Sequence, residues 1–283
     1  MWKQKLCLNC SKSFPLSVPE QLRLYKRIGF DGVFFPWSKD DPIDEWKAVA
    51  DEVGLTVQSI HAPFNKIDAL WRDDEERARL ALDEQLACIH TCQELGVPIM
   101  VSHAFIGFRD HTPTEIGLKR FEIMVNEAAK CGVKIAFENT EGEEYLAALM
   151  EHFKGNGTVG FCWDTGHEMC YNHSQDMLSL YGDRLFATHI NDNLGIRDFG
   201  GEIIYTDDLH LLPFDGIGDW DDVAARLDRE NFSDFMTFEL KIASQKGRID
   251  NVIYENMPFE LWVAEAFKRA CRVAAKRKQY RKG

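Results

Sequence analysis

The feature that most constrains this chain is a repeated exchange between two hydrophobic periods. Short apolar runs of strand length recur along the 283 residues, each followed by a longer amphipathic stretch. A strand buried on both faces reads as a near-continuous apolar run, whereas a helix packed on a sheet shows apolar residues every three to four positions. Candidate strands lie at 5–9, 31–35, 55–61, 97–103, 133–138, 158–164, 185–191 and 234–240. The clearest helical patterns are 73–95, with Leu80, Leu82, Leu86, Ile89 and Leu95 amid charges, and 114–131, with Ile116, Phe121, Met124, Val125 and Ala128 on one side. Gly29, Gly54, Gly96 and Gly132 each follow a helical stretch and precede a strand, where a helix stop is expected. Eight strands alternating with helices predict a parallel sheet, and the count with this length favours an α/β (β/α)8 TIM barrel over an open doubly wound sheet. No G-x-G-x-x-G follows the first strand, so no nucleotide cofactor is expected. No low-complexity linker divides the chain, which reads as one domain over 1–283.

Composition narrows the function classes. Lys and Arg number 33 against 46 Asp and Glu, a formal net charge of −13. Duplex affinity comes largely from cations that neutralise phosphates, so a basic nucleic-acid binder is disfavoured. No run of about 18 apolar residues predicts a membrane span, and residues 1–5 do not open a signal peptide. The eight Cys are scattered, as expected of free thiols in a cytoplasmic chain. Cys7 and Cys10 form a lone CxxC with no second pair to complete a zinc site. The basic tail 268–282 reads as a solvated last helix, with a phosphate or partner patch as the alternative.

In a TIM barrel, chemistry sits where strands run out into the βα loops. His61, His103, Glu138 and Asp164 end the third to sixth predicted strands, and His167 follows Asp164 by three residues. The seventh strand carries His189, the loop after it Asp208 and His210, and the eighth strand Glu239. The other four His (His90, His111, His152, His173) fall in helical or loop stretches. Carboxylates and imidazoles converging on one axis desolvate and repel one another unless a cation joins them. This donor set suits Mn2+, Mg2+, Co2+ or Zn2+. Lys241 follows Glu239 by two, placed either to orient a carboxylate or substrate or to form a buried salt bridge. Trp37, Phe64, Phe105 and Trp163 lie near strand ends, where they could wall a pocket or pack in the core; Asn139 is placed to orient Glu138, and Asn191 and Asp192 to orient His189.

The segments Phe137-Glu138-Asn139-Thr140, Trp163-Asp164-Thr165-Gly166-His167, His189-Ile190-Asn191-Asp192 and Phe238-Glu239 resemble the xylose-isomerase-like barrel superfamily. It includes sugar and sugar-phosphate isomerases and epimerases, inosose dehydratases and endonuclease IV. The resemblance implies a four-ligand metal site at Glu138, Asp164, His189 and Glu239. Glu138 and Glu239 would also move the substrate proton, and His167 would contact a substrate oxygen. It implies a carbohydrate substrate and a place in carbohydrate metabolism, proton transfer through a metal-stabilised cis-enediolate, and frequent homo-oligomers. His61, His103, Asp208 and His210 match further ligands of endonuclease IV, so all nine ligand types of its trinuclear zinc site are present. A non-catalytic barrel subunit is the third reading.

Three features weigh toward the sugar branch, one of them Gly166 in Asp164-Thr165-Gly166-His167, where the nucleases of the resembled superfamily usually carry Cys. The segment 192–219 holds seven acids and one base, which would repel a DNA backbone. Pro213 to Trp220 reads as a turn ending in Gly218-Asp219-Trp220, with Asp219 placed to cap the next helix.

Overall fold

All eight expected strands are present in the computed structural model, which describes residues 4–196 and 202–278. They are β1 (Leu6–Asn9), β2 (Gly32–Pro36), β3 (Thr56–His61), β4 (Ile99–His103), β5 (Lys134–Glu138), β6 (Val159–Asp164), β7 (Leu185–His189) and β8 (Met236–Phe238). One parallel sheet runs in the order β7-β6-β5-β4-β3-β2-β1-β8. The barrel closes at the β7/β8 seam by a single bridge between Ile190 and Phe238. There Ile190 N–H donates to Thr237 O at 2.8 Å and Glu239 N–H donates to Ile190 O at 3.2 Å. Deeper in the seam, the Thr188 hydroxyl oxygen accepts from Thr237 N–H at 3.1 Å, in place of a backbone carbonyl. Few shared backbone bonds hold this seam, so β7 and β8 are shorter than the predicted 185–191 and 234–240.

Ten helices alternate with the strands: α1 (Val18–Ile28), α2 (Ile43–Val53), α3 (Glu75–Glu94), α4 (Glu115–Cys131), α5 (Glu143–His152), α6 (Thr165–Cys170), α7 (Met177–Tyr181), α8 (Trp220–Arg229), α9 (Val252–Glu255) and α10 (Phe259–Ala274) among the described residues. Their starts follow side-chain capping. Asp74 accepts from Arg77 N–H, Thr114 from Gly117 N–H, and Asp219 from Asp221 and Asp222 N–H, as expected for Asp219. Gly29, Gly54, Gly96 and Gly132 all take positive φ at the expected stops. No described helix is long and apolar enough to cross a membrane.

The main apolar core lies between the outer face of the sheet and the helices. A second, smaller cluster fills the barrel itself: Ile99, Val101, Ala136, Cys162 and Ala187. Val101, Ala136, Cys162 and Ala187 each stand two residues before His103, Glu138, Asp164 and His189. Side chains two apart on a strand share a face, so the four polar groups stand on the barrel axis, one layer above an apolar floor.

The tail is less solvated than expected. Arg269 pairs with Asp215 at 2.5 Å, Lys276 with Asp221 at 2.7 Å and Arg277 with Asp228 at 2.6 Å, while Arg272 lies 3.9 Å over the Phe214 ring. Lys278 is the last described residue, so Arg281 and Lys282 lie outside the described part. All eight Cys are free, with Cys7 and Cys10 both buried.

Gly117 supplies a stability test. Ala is ordinarily favoured over Gly within a helix by about 1 kcal/mol. Here an added Cβ would stand 2.1 Å from the ring of Trp71, whose indole N–H is fixed on Ala104 O. Gly117→Ala is expected to destabilise by about 1–3 kcal/mol, read as a lower urea midpoint, because overpacking outweighs propensity.

Candidate metal centre

Glu138 stands at the middle of the axial layer and is fully buried. Its Oε2 lies 3.2 Å from His61 Nε2 and 3.4 Å from His103 Nε2, and its Oε1 lies 2.8 Å from His189 Nδ1 and 3.6 Å from His167 Nδ1. The same His189 Nδ1 lies 3.1 Å from Glu239 Oε2. Asp208 lies 2.7 Å from His210 Nε2, 3.5 Å from His167 Nε2 and 3.2 Å from Lys241 Nζ.

All nine donors predicted from the strand ends therefore meet, and they sort into three groups whose donor atoms lie within 4.8 Å of one another. These are His61, His103 and Glu138; then Glu138, Asp164, His189 and Glu239; then His167, Asp208 and His210. Lys241 joins the third group as an ion-pair partner, its side chain part-exposed rather than buried.

The electrostatics follow from burial and opposition of charge. Burial alone would raise the Glu138 carboxyl, but the facing imidazoles of His189, His103 and His61 outweigh it and hold the carboxyl well below its ordinary range. Burial likewise opposes ionisation of Glu239, which His189 and His210 bring down to about 2. In Asp164 burial wins over the offsetting His167 and the carboxyl rises to about 6. Burial opposes charge on His189, yet Cys162, Glu138 and Glu239 raise it well above the usual imidazole value.

The residues fit a divalent cation on these grounds. One ring nitrogen of His189 faces two carboxylates, and a single proton there cannot satisfy both. His189 Nε2, His167 Nδ1, His103 Nδ1 and Asp208 Oδ1 are buried without a hydrogen-bond partner. Mixed imidazole and carboxylate donors match the cations expected from the sequence.

The surrounding polar residues act differently from the sequence expectation. Asn139 does not reach Glu138: its amide donates to Asp164 O at 2.8 Å and its oxygen accepts from Asp164 N–H at 2.7 Å. Asn191 donates to both oxygens of Asp164 at 3.1 and 2.9 Å. Both therefore position Asp164, because neighbouring strand ends bring β5, β6 and the residues after β7 side by side. Asp192 holds no imidazole. Its carboxylate accepts backbone N–H groups from Asn193, Phe214 and Gly218 at 2.9, 2.8 and 2.9 Å, pinning the loop after β7. That loop is also less bare than its composition suggests, since Asp207 faces Arg248 and Asp215 faces Arg269; Arg197 and Asp198 lie outside the described residues.

Two of the four expected wall aromatics, Trp37 and Phe64, line a cleft of about 440 Å3 beside Glu239. Phe105 instead stacks on Tyr145 at 4.0 Å, and buried Trp163 donates its indole N–H to Glu168, so both belong to the core. Phe34 was missed. It lines the cleft and stacks on His189 at 4.7 Å. Its place on β2, alternating with buried Phe35, was the available signal. Tyr171, stacked on His167 at 5.1 Å, carried no signal because it lies past a six-residue helix. His90, His111 and His152 pair with surface glutamates, as expected of residues outside the centre.

A near-closed barrel with an imidazole–carboxylate centre at its C-terminal face defines a class within the TIM barrels. The profile of the xylose isomerase-like TIM barrel family matches residues 22–277, and the chain belongs to that family. The uncharacterized protein y4fM of Sinorhizobium fredii (strain NBRC 101917 / NGR234) is 32% identical over 232 residues, 71% of each chain. The probable endonuclease 4 of Cenarchaeum symbiosum (strain A) is 25% identical over 157 residues, 47% of this chain and 54% of the other. The IolI protein with a bound zinc atom superposes with a TM-score of 0.73 at 21% identity, covering 96% of this chain and 99% of that one. D-psicose 3-epimerase with D-tagatose from Clostridium cellulolyticum H10 superposes with a TM-score of 0.72 at 15% identity, with coverage of 96% and 99%. These two likenesses establish the fold.

Metal binding to this centre is expected to raise the thermal midpoint. At about 100 times Kd the gain is about 2.7 kcal/mol. Glu138→Gln, altering a residue shared by two donor groups, should lose most of that gain in calorimetry with Zn2+ or Mn2+, whereas His152→Gln, remote from every donor group among the described residues, should keep it.

Proposed function

We propose that this chain is a divalent-metal-dependent sugar isomerase or epimerase. The observation that carries the reading is the pair of carboxylates, Glu138 and Glu239, set against one His189 nitrogen. Their accessibility differs: the Glu239 side chain is 22% exposed and Glu138 is 0%. Glu239 faces the large cleft, and both glutamates line a smaller cavity of about 280 Å3 above the donors. Glu138, Asp164, His189 and Glu239 would hold the ion. A bound Mn2+, Mg2+, Co2+ or Zn2+ supplies Lewis acidity toward a carbonyl and its neighbouring hydroxyl.

Glu239, the more accessible carboxylate, takes the α proton: the C–H bond breaks, its electron pair enters the enediolate, and the carboxylate becomes a carboxylic acid. Return of a proton to the opposite face gives the epimer; Glu138 supplies it only as a carboxylic acid, so each turnover first loads Glu138 with a proton while Glu239 gives up the one it took to solvent. Return to the adjacent carbon gives the isomer. His167 lines the same small cavity and is placed to contact a sugar oxygen.

One observation favours a second reading, an endonuclease-IV-like trinuclear zinc phosphodiesterase: all nine donors are present in three groups. Against it, the ammonium of Lys241 already compensates Asp208 in the third group.

Two measurements decide. Metal analysis should find about one divalent ion per chain; three tightly held zinc ions with cleavage of abasic DNA would sink the sugar reading. Glu239→Gln should keep its fold and slow α-deuterium uptake by a ketose in D2O by about 10²–10⁴-fold, the span ordinarily supplied by a positioned acid or base. Exchange at the wild-type rate would remove Glu239 from its assigned role.

A further inference from the structure

The geometry points to an uncharged, unphosphorylated sugar as the substrate of this centre. This inference rests on the isomerase or epimerase reading and adds the substrate class. It follows from the chemistry of the cavity walls and from the chain's use of its own anion-binding groups.

The 440 Å3 cleft opens over the ends of β1, β2, β3 and β8. Phe34, Trp37 and Phe64 give it aromatic walls, and Ser11, Ser13 and Gln245 add uncharged polar groups. Trp37 donates its indole N–H to Thr91 Oγ1 at 2.9 Å, outside the cleft, so it offers the substrate a ring face rather than a donor. Aromatic faces with a few neutral hydrogen-bonding groups suit the C–H faces and hydroxyls of a polyol.

Phosphate recognition uses Arg forks, Lys, or clusters of free backbone N–H groups. Among the described residues, Lys241 is the one Lys or Arg lining this cleft, and it is paired with Asp208 at 3.2 Å. A neighbouring cavity of about 340 Å3 beside Tyr171 sets Arg109 against Glu141, Glu143, Glu144 and Glu202. A phosphate ester carrying nearly two negative charges meets an adverse field there.

The backbone argument is independent of the charge count. TIM barrels that bind phosphate often do so with the loops after strands seven and eight. In the described parts of those loops, several N–H groups are already taken by the chain's own carboxylates. Asp192 takes the N–H groups of Asn193, Phe214 and Gly218 in the loop after β7. Glu255 takes the N–H of Ser244 after β8 at 3.0 Å. A Cβ on Gly216 would come within 2.3 Å of Asp192 Oδ1, so the loop is closely moulded around this internal anion. The short helix α9 offers no alternative, since it has only four residues.

The test compares neutral hexuloses with their phosphates on the metal-loaded full chain. D-Fructose, D-psicose, D-tagatose and D-sorbose and the 6-phosphate of each are incubated in D2O, and α-deuterium uptake is followed by NMR. Inorganic phosphate is titrated separately as a competitor. The expected result is exchange with at least one neutral ketose, a kcat/KM at least about 100-fold lower for its phosphate, and no competition by millimolar inorganic phosphate. A phosphate ester that matches or exceeds its parent sugar, or phosphate that competes, overturns the uncharged-substrate inference and leaves the proton-transfer reading standing. Exchange with no member of either set overturns both.

Discussion

The structure depends on how one fully buried carboxylate, Glu138, is kept ionised at the barrel axis. Burial disfavours its charge, and three imidazoles offset that penalty from different strands. His61 comes from β3, His103 from β4 and His189 from β7, so the arrangement requires the barrel to curl until distant strands face each other. The apolar floor of Val101, Ala136, Cys162 and Ala187 excludes water from below, which strengthens every charge interaction above it. Fold and centre are therefore one electrostatic problem with one solution.

The same logic recurs around the rim. Asp164 is held by Asn139 and Asn191, and Asp208 by His210 and Lys241. Asp192 and Glu255 fill loop N–H groups that could otherwise receive an outside anion. Part of the chain's acidity thus serves internal purposes rather than a solvated surface. The net charge of −13 is partly a record of carboxylates facing imidazoles, guanidinium groups and backbone N–H groups inside the fold.

Legibility from sequence followed the range of the signal. The strand set, the extents of α3 and α4 and the convergence of nine His, Asp and Glu side chains were readable because each depends on local periodicity or position at a strand end. The partners of the amides were not. Asn139 follows Glu138 in the chain, which suggested service to that residue, yet its side chain crosses to β6. Phe105 and Trp163 looked like pocket walls by their positions but pack in the core: strand alternation turns Trp163 away from the axis, and Phe105, past the end of β4, stacks on Tyr145 of α5. The seam between β7 and β8 was also invisible, since its few hydrogen bonds join residues about fifty positions apart.

By itself, the sequence determined the repeat of strand and helix, the polar residues that end the strands, and the family to which those motifs point. Periodicity and capping are short-range, so they survive in a linear reading. Only the tertiary structure decided which carboxylates share an imidazole nitrogen, which carboxylate faces the cleft, and which loop N–H groups Asp192 and Glu255 take. Those outcomes depend on strand stagger and closure of the barrel, which set distances of a few ångströms between residues far apart in the chain.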